Sequence, residues 1–180
     1  MKATGIVRRI DDLGRVVIPK EIRRTMHIRE GDPLEIFTDK DGELIFKKYS
    51  PVNELSDFAM QLCDSLRRAC DGIAAVCDRD CVIAVAGGAK KELLDKPISA
   101  QLAQLMTQRG AYCRASGEDS LPPSATDDKY TVSAAAPIIA DGDVIGCVFF
   151  AAPRGAASGT EVECKLVQTA ACFLGKQLEA

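Results

Sequence analysis

The sequence has no tryptophan, one histidine (His27) and an aromatic content of 5%. A single imidazole argues against a Cys/His metal site and against an imidazole-based catalytic triad. No apolar run approaches the roughly 18 residues needed to cross a bilayer. The opening Met1-Lys2-Ala3-Thr4-Gly5 lacks the apolar segment of an export signal. The expectation is a cytoplasmic protein with no membrane partner, and its eight cysteines should then be reduced thiols rather than a disulfide framework. Cys63, Cys70 and Cys77 recur every seven residues and Cys81 follows by four. No histidine lies near them, and they read as small buried hydrophobes rather than ligands. The sequence calls for no cofactor, no metal and no catalytic residue.

What is present is a globular composition: 180 residues, 47% hydrophobic and 27% charged, with a net charge of −3. The charge is uneven. Residues 1 to 48 hold eleven basic against nine acidic groups, a net of +2, which leaves −5 for the rest. Within residues 1 to 30 the balance is eight against four. A basic front on an acidic body suits a polyanion-binding head.

Residues 5–10 and 15–18 are β-branched runs separated by Asp11-Asp12-Leu13-Gly14, and they read as two strands joined by a turn. Pro19 starts a short helix over Lys20 to Met26 with Ile22 and Met26 on one face and Arg23 and Arg24 on the other. Residues 34–37 and 43–47 read as a hairpin about Asp41-Gly42, a type I′ signal. So small a unit, with no disulfide or metal to help it, buries too little surface alone, which points to an obligate homodimer sharing one core.

Ser50-Pro51 starts a helix, and a domain boundary falls there, giving domains 1–50 and 51–180. Val52, Leu55, Ala59, Leu62, Leu66 and Ala69 form a heptad-like seam. At the other end Thr160 to Glu163 is a capping box, followed by a second seam of Cys164, Val167, Ala171, Leu174 and Leu178. Between them run strands at 73–77, 81–86, 130–140 and 144–152, and a helix over 100–109. That order describes an antiparallel sheet with helices on one or both faces, in an α+β chain. The seams suggest helices that pack together, and across subunits too.

The run Met1 to Thr25, with Gly31-Asp-Pro-Leu-Glu-Ile-Phe37, resembles the DNA-binding domain of the AbrB transition-state regulators of endospore-forming bacteria. The remainder resembles a GAF domain in size and element order. The resemblance implies a swapped-hairpin β-barrel dimer in front, a GAF-like antiparallel sheet behind that senses an unidentified small ligand, and a homotetramer. It implies a transcriptional regulator of sporulation genes bound to double-stranded DNA, cytoplasmic and nucleoid-associated, in the forespore. The family's DNA-contacting arginines match Arg8, Arg15, Arg23 and Arg24. Guanidinium suits the task because its fork can meet phosphate or guanine edges in two bonds. Pairing with Asp11, Asp12 or Glu21 is the competing role for these arginines, and Arg9, Lys2 and Lys20 are flanking charge. His27 reads as a surface or cap residue.

In the second region the candidate ligand walls are Val82 to Gly88, the loop before Tyr130, and Ser133 to Pro137. Gly87-Gly88-Ala89-Lys90-Lys91 could face an anion, but an ordinary turn accounts for it better, and P-loop spacing is absent. Two other function classes fit parts of the sequence. One is a GAF-type thiol enzyme such as a free methionine sulfoxide reductase, which would need a lowered thiol pKa. The other is an antitoxin, whose DNA-binding head can share this fold.

Overall fold

The computed structural model describes residues 5–126, 128–156 and 158–179. The chain divides into two compact units, Met1–Tyr49 and Ser50–Ala180, and its class is α+β as expected.

In the first unit the arms at 5–10 and 15–18, expected as strands, form no ladder. A ladder needs a run of paired backbone groups, and among the described residues these arms do not form one. The turn between them forms. Gly14 N–H donates to the Asp11 carbonyl at 2.9 Å, with Gly14 at a φ of 75° that suits a residue without Cβ. Helix α1 spans Lys20–Thr25, one residue shorter than the sequence predicts. Pro19 sits just outside it, with ψ 148°, and accepts from the Arg23 N–H.

The end of α1 explains His27. Ile28 N–H reaches back to the Arg23 carbonyl at 2.8 Å while His27 adopts φ 52°. That is the left-handed C-terminal cap of a Schellman-type ending, so the histidine is a cap residue, as expected. The Lys48 ammonium donates to the His27 carbonyl at 3.0 Å and pairs with Asp32 at 3.4 Å, tying the exit loop to the following hairpin.

That hairpin pairs β1 (Leu34–Thr38) with β2 (Leu44–Lys48). Its turn is not the type I′ expected. Asp39 accepts from Gly42 N–H and donates its own N–H to Glu43, and only Gly42 has positive φ. The loop is therefore three residues long with a glycine bulge. The Asp39 carboxylate, accepting from the N–H groups of Asp41 and Glu43, holds it in that form.

The second unit is a five-stranded antiparallel sheet between two helical layers. Its strands are β3 (Ile73–Asp78), β4 (Val82–Ala86), β5 (Tyr112–Cys113), β6 (Tyr130–Ala140) and β7 (Asp143–Pro153), in the order β4-β3-β7-β6-β5. Helices α2 (Pro51–Glu54) and α3 (Ser56–Ala69) replace the single helix expected, with a break at Leu55. With α6 (Glu161–Leu178) they cover one face, burying Val52, Ala59, Cys63, Leu66, Val167, Ala171 and Leu174 over Val76, Ile138, Val148 and Phe150. Both seams thus meet the sheet of their own chain. The other face is closed by α4 (Lys90–Leu93) and α5 (Ala100–Thr107), which set Leu93, Leu102, Leu105 and Met106 against Phe149, Val85 and Cys147.

Glycines let these elements approach closely, both between layers and within the sheet. A Cβ at Gly175 of α6 would collide with the Ile139 carbonyl of β6, and one at Gly146 with the Cys77 carbonyl. β6 and β7 are joined by Asp141-Gly142, both at positive φ, the two-residue turn that matches strand twist. Ser133 lies at a bulge in β6 and is buried, its hydroxyl 3.4 Å from Glu163 of the α6 capping box.

The thiols depart from expectation in one place. Cys113 on β5 and Cys164 in the first turns of α6 are joined as a disulfide, with Cα atoms 5.7 Å apart. The six others are free, and Cys63, Cys77 and Cys147 are buried as small hydrophobes. Spacing along the sequence could not show this pair, because β5 was not expected at all.

Candidate nucleic-acid interface

The first unit presents its arginines from two small devices. The first is the Asp11–Gly14 turn, with Arg8 on the incoming arm and Arg15 on the outgoing one. Asp11 Oδ1 accepts from the backbone N–H of Leu13 at 3.0 Å and of Arg15 at 2.8 Å. Its Oδ2 accepts from Arg15 Nε at 2.8 Å. The Arg15 N–H and then its guanidinium hold the Asp11 carboxyl below the usual carboxylate range, since both stabilise its charged form. Arg15 is therefore the member of the set that takes the competing role, while its side chain stays 70% exposed.

The second device is α1, whose last turn carries Arg23 and Arg24, both exposed. Its six residues are ended by the His27 cap, so the direction of these side chains is set by local geometry. As cations in a last turn they also suit the negative end of the helix dipole. Arg8 is exposed too, donating from Nη1 to the Val7 carbonyl at 3.3 Å. Arg8, Arg23 and Arg24 face no carboxylate among the described residues, so three of the four guanidiniums are available to an external anion. Lys47, whose ammonium lies 4.7 Å from the centre of the Phe37 ring, is a further cation on the hairpin that the sequence reading passed over.

The same unit has no interior. Among its described residues only Pro19 is buried. Val7, Ile10, Leu13, Val17, Ile36 and Leu44 are all more than half exposed.

In the second unit the walls expected around a ligand are mostly filled. Val82, Val85, Ala134 and Ala135 are buried in the two packed faces. An open depression of about 480 Å³ lies at the glycine pair, lined by Arg67, Arg68, Asp71, Gly72, Gly87 and Gly88. Gly87, at φ 123°, rests against Ile73, which keeps that rim low.

Residues 54–179 match the family described as stage V sporulation protein T C-terminal, transcription factor. Residues 7–53 match the antidote-toxin recognition MazE, bacterial antitoxin family. The stage V sporulation protein T of Bacillus subtilis strain 168 is 51% identical over 179 residues, covering 99% of each chain. The transition state regulatory protein AbrB of the same organism is 53% identical over 68 residues, which is 34% of this chain and 70% of AbrB. Among solved structures, the cyanobacteriochrome receptor PixJ has a TM-score of 0.53 at 13% identity, over 72% of this chain and 98% of that one, a likeness of fold alone. The cofactor-binding GAF domain of the nutrient sensor CodY from Clostridium difficile is similar at a TM-score of 0.48 and 12% identity, over 71% and 92%. The first fifty residues are similar to AbrB, half the residues are shared from end to end with the Bacillus protein, and the chain belongs to the stage V sporulation protein T family.

Proposed function

We propose that this protein is a transcriptional regulator of sporulation genes that binds double-stranded DNA through residues 1–50 and is regulated and tetramerised through residues 51–180. One observation carries the reading. The first unit turns Arg8, Arg15, Arg23 and Arg24 outward and, among its described residues, keeps no buried aliphatic or aromatic side chain apart from Pro19. A fifty-residue unit without a core does not stay folded alone. A second copy supplies the missing half, the exposed aliphatic arms become shared strands, and the arginines of both chains stand on one dimer.

Such a surface meets phosphates first and base edges second. With no long recognition helix among its elements, it reads a duplex through backbone spacing and deformability more than through a base code. The protein works inside the cell, at the nucleoid, in the forespore. The body is a sensor rather than an enzyme. Burial pushes the Cys63 thiol up to about 12, and the Cys77 thiol is raised by its hydrogen bond with Cys147 and by burial, the opposite of what a nucleophile needs. The antitoxin reading fits the head but leaves a folded body of 131 residues without a task.

The test is a protected-fragment footprint on a sporulation promoter, comparing wild type with Arg23→Ala/Arg24→Ala while circular dichroism reports folding. The expected outcome is protection lost in a folded variant, and undiminished protection refutes the reading. Sensing is tested separately. A small ligand acts by binding one arrangement of the bodies better than another, so a ligand that saturates the protein yet leaves promoter affinity and footprint unchanged refutes that part alone.

A further inference from the structure

We propose that Cys113 and Cys164 are a reversible dithiol–disulfide site, oxidised by a low-molecular-weight disulfide, which clips the edge of the sheet to the start of α6. The site goes beyond DNA binding and does not depend on it.

The observations converge on the segment that the bond holds. β5 is two residues long and forms the free edge of the sheet, pairing with β6 only through Tyr112 with Ala135 and Cys113 with Ala134. So short an edge strand has little of its own to keep it in place. Cys113 is exposed and Cys164 half-buried, so small reagents reach the pair. The other end is rigid without the bond. Thr160 Oγ1 accepts from Glu163 N–H at 3.1 Å, and the Glu163 carboxylate accepts from Thr160 N–H at 2.8 Å, so α6 starts at the same place in either redox state.

The reduced state is also provided for. Cys113 Sγ lies 3.8 Å from the Thr160 carbonyl, where a free thiol can donate. The chain beyond it is tied to the segment before α6 by Arg114 Nη1 donating to the Ala156 carbonyl at 3.2 Å and by Gly159 N–H donating to the Arg114 carbonyl at 3.0 Å. Residues on both sides of the bond therefore stay near one another when it opens, so the thiols remain placed to close again. Four of the other thiols are held back from exchange, while Cys172 is exposed and Cys81 half-buried. Cys63, Cys77 and Cys147 are buried, and burial with the charges of Glu163 and Asp71 raises the Cys70 thiol.

The chemistry is thiol–disulfide exchange. The thiolate of one cysteine attacks a sulfur of the small disulfide R–S–S–R, forming a mixed disulfide and releasing R–S⁻. The second thiolate attacks the protein sulfur of that mixed disulfide, the Cys113–Cys164 bond forms, and a second R–S⁻ leaves. Two thiol protons go to water or to the released thiolates, and the small disulfide is reduced by two electrons. The reverse exchange, with an excess of small thiol, opens the clip. Opening lets β5 fray and uncovers the β6 edge at Ala134 and Ala135.

The experiment uses the full chain equilibrated with oxidised or reduced glutathione, then split between peptide mapping after alkylation and hydrogen exchange. In the oxidised sample the expected result is a cross-linked Cys113–Cys164 peptide pair. In the reduced sample both cysteines are alkylated, and amides of residues 111–116 exchange about tenfold faster or more, as a locally opened segment does. The Cys113→Ser/Cys164→Ser variant should exchange like the reduced protein in both buffers. The proposal is overturned if glutathione remains attached to Cys113 without a cross-link, if Cys113 pairs with Cys172 instead, or if reduced glutathione cannot open the bond in the folded protein. Equal exchange of residues 111–116 in the two wild-type samples also overturns it, and that readout needs no variant to fold.

Discussion

Replacing Asp11 with asparagine should make DNA binding steeper in salt. In the structure Asp11 Oδ2 takes Arg15 Nε at 2.8 Å, so this guanidinium carries a compensating charge with it, whereas Arg8, Arg23 and Arg24 do not. Asparagine retains the Oδ1 acceptor for the N–H groups of Leu13 and Arg15, so the turn survives while the charge is removed. Each neutralised phosphate contributes about −0.9 to the slope of log affinity against log salt. A dimer with three uncompensated arginines per chain has six, hence a slope of about −5, and freeing both copies of Arg15 takes it to about −7. Between 50 and 200 mM salt the loss of affinity then grows from about a thousandfold to about ten-thousandfold. Fluorescence anisotropy with a labelled promoter duplex, titrated at several salt concentrations for both proteins, reads the two slopes directly. An unchanged or shallower slope in Asp11→Asn would show that Arg15 does not meet phosphate or that Asp11 does not restrain it.

Three further outcomes test the body and the turn. Gly175→Ala should destabilise the body by about 1–2 kcal/mol, because the collision with the Ile139 carbonyl outweighs the helix propensity of about 1 kcal/mol that alanine brings; a raised urea midpoint would contradict the close approach of α6 to β6. Phe150→Ala should cost about 3–5 kcal/mol in the same assay, since this side chain is fully buried between the sheet and the α3–α6 layer. At alkaline pH the raised Cys63 pKa has a definite sign. The folded state favours the neutral thiol, so its contribution is full below about 9, falls by about 1.4 kcal/mol per pH unit above that, and is gone near about 12. The pH dependence of unfolding between these limits should be shallower in Cys63→Ala, and identical slopes would refute the assignment.

The sequence made some of these elements legible and hid others for physical reasons. The α6 capping box and the 11-residue strands β6 and β7 could be read because each carries a local pattern that its tertiary surroundings reinforce. Of the Asp-Gly pairs at hairpin turns, 41–42 and 141–142, only the second is the two-residue turn. At the first, the carboxylate of Asp39 holds a longer loop, a contact from outside the dipeptide. The arms at 5–10 and 15–18 have strand-forming residues yet form no strand among the described residues. Arg8, Arg15, Arg23 and Arg24 could be picked out by type and position as candidates, and the structure leaves them exposed, while the restraint of Arg15 by Asp11 required the folded turn. The Cys113–Cys164 pair, 51 residues apart, was illegible because a two-residue edge strand leaves almost no signal in sequence.

If the head borrows its interior from a twin, as proposed, it cannot be titrated like an ordinary ligand receptor. Its occupancy of promoters grows with the square of the amount synthesised while copies are scarce, and linearly once they are abundant. Dilution should disarm the head while the body, with a sealed interior, persists. The quantity of regulator in a compartment thereby becomes a threshold signal, before any small molecule is sensed.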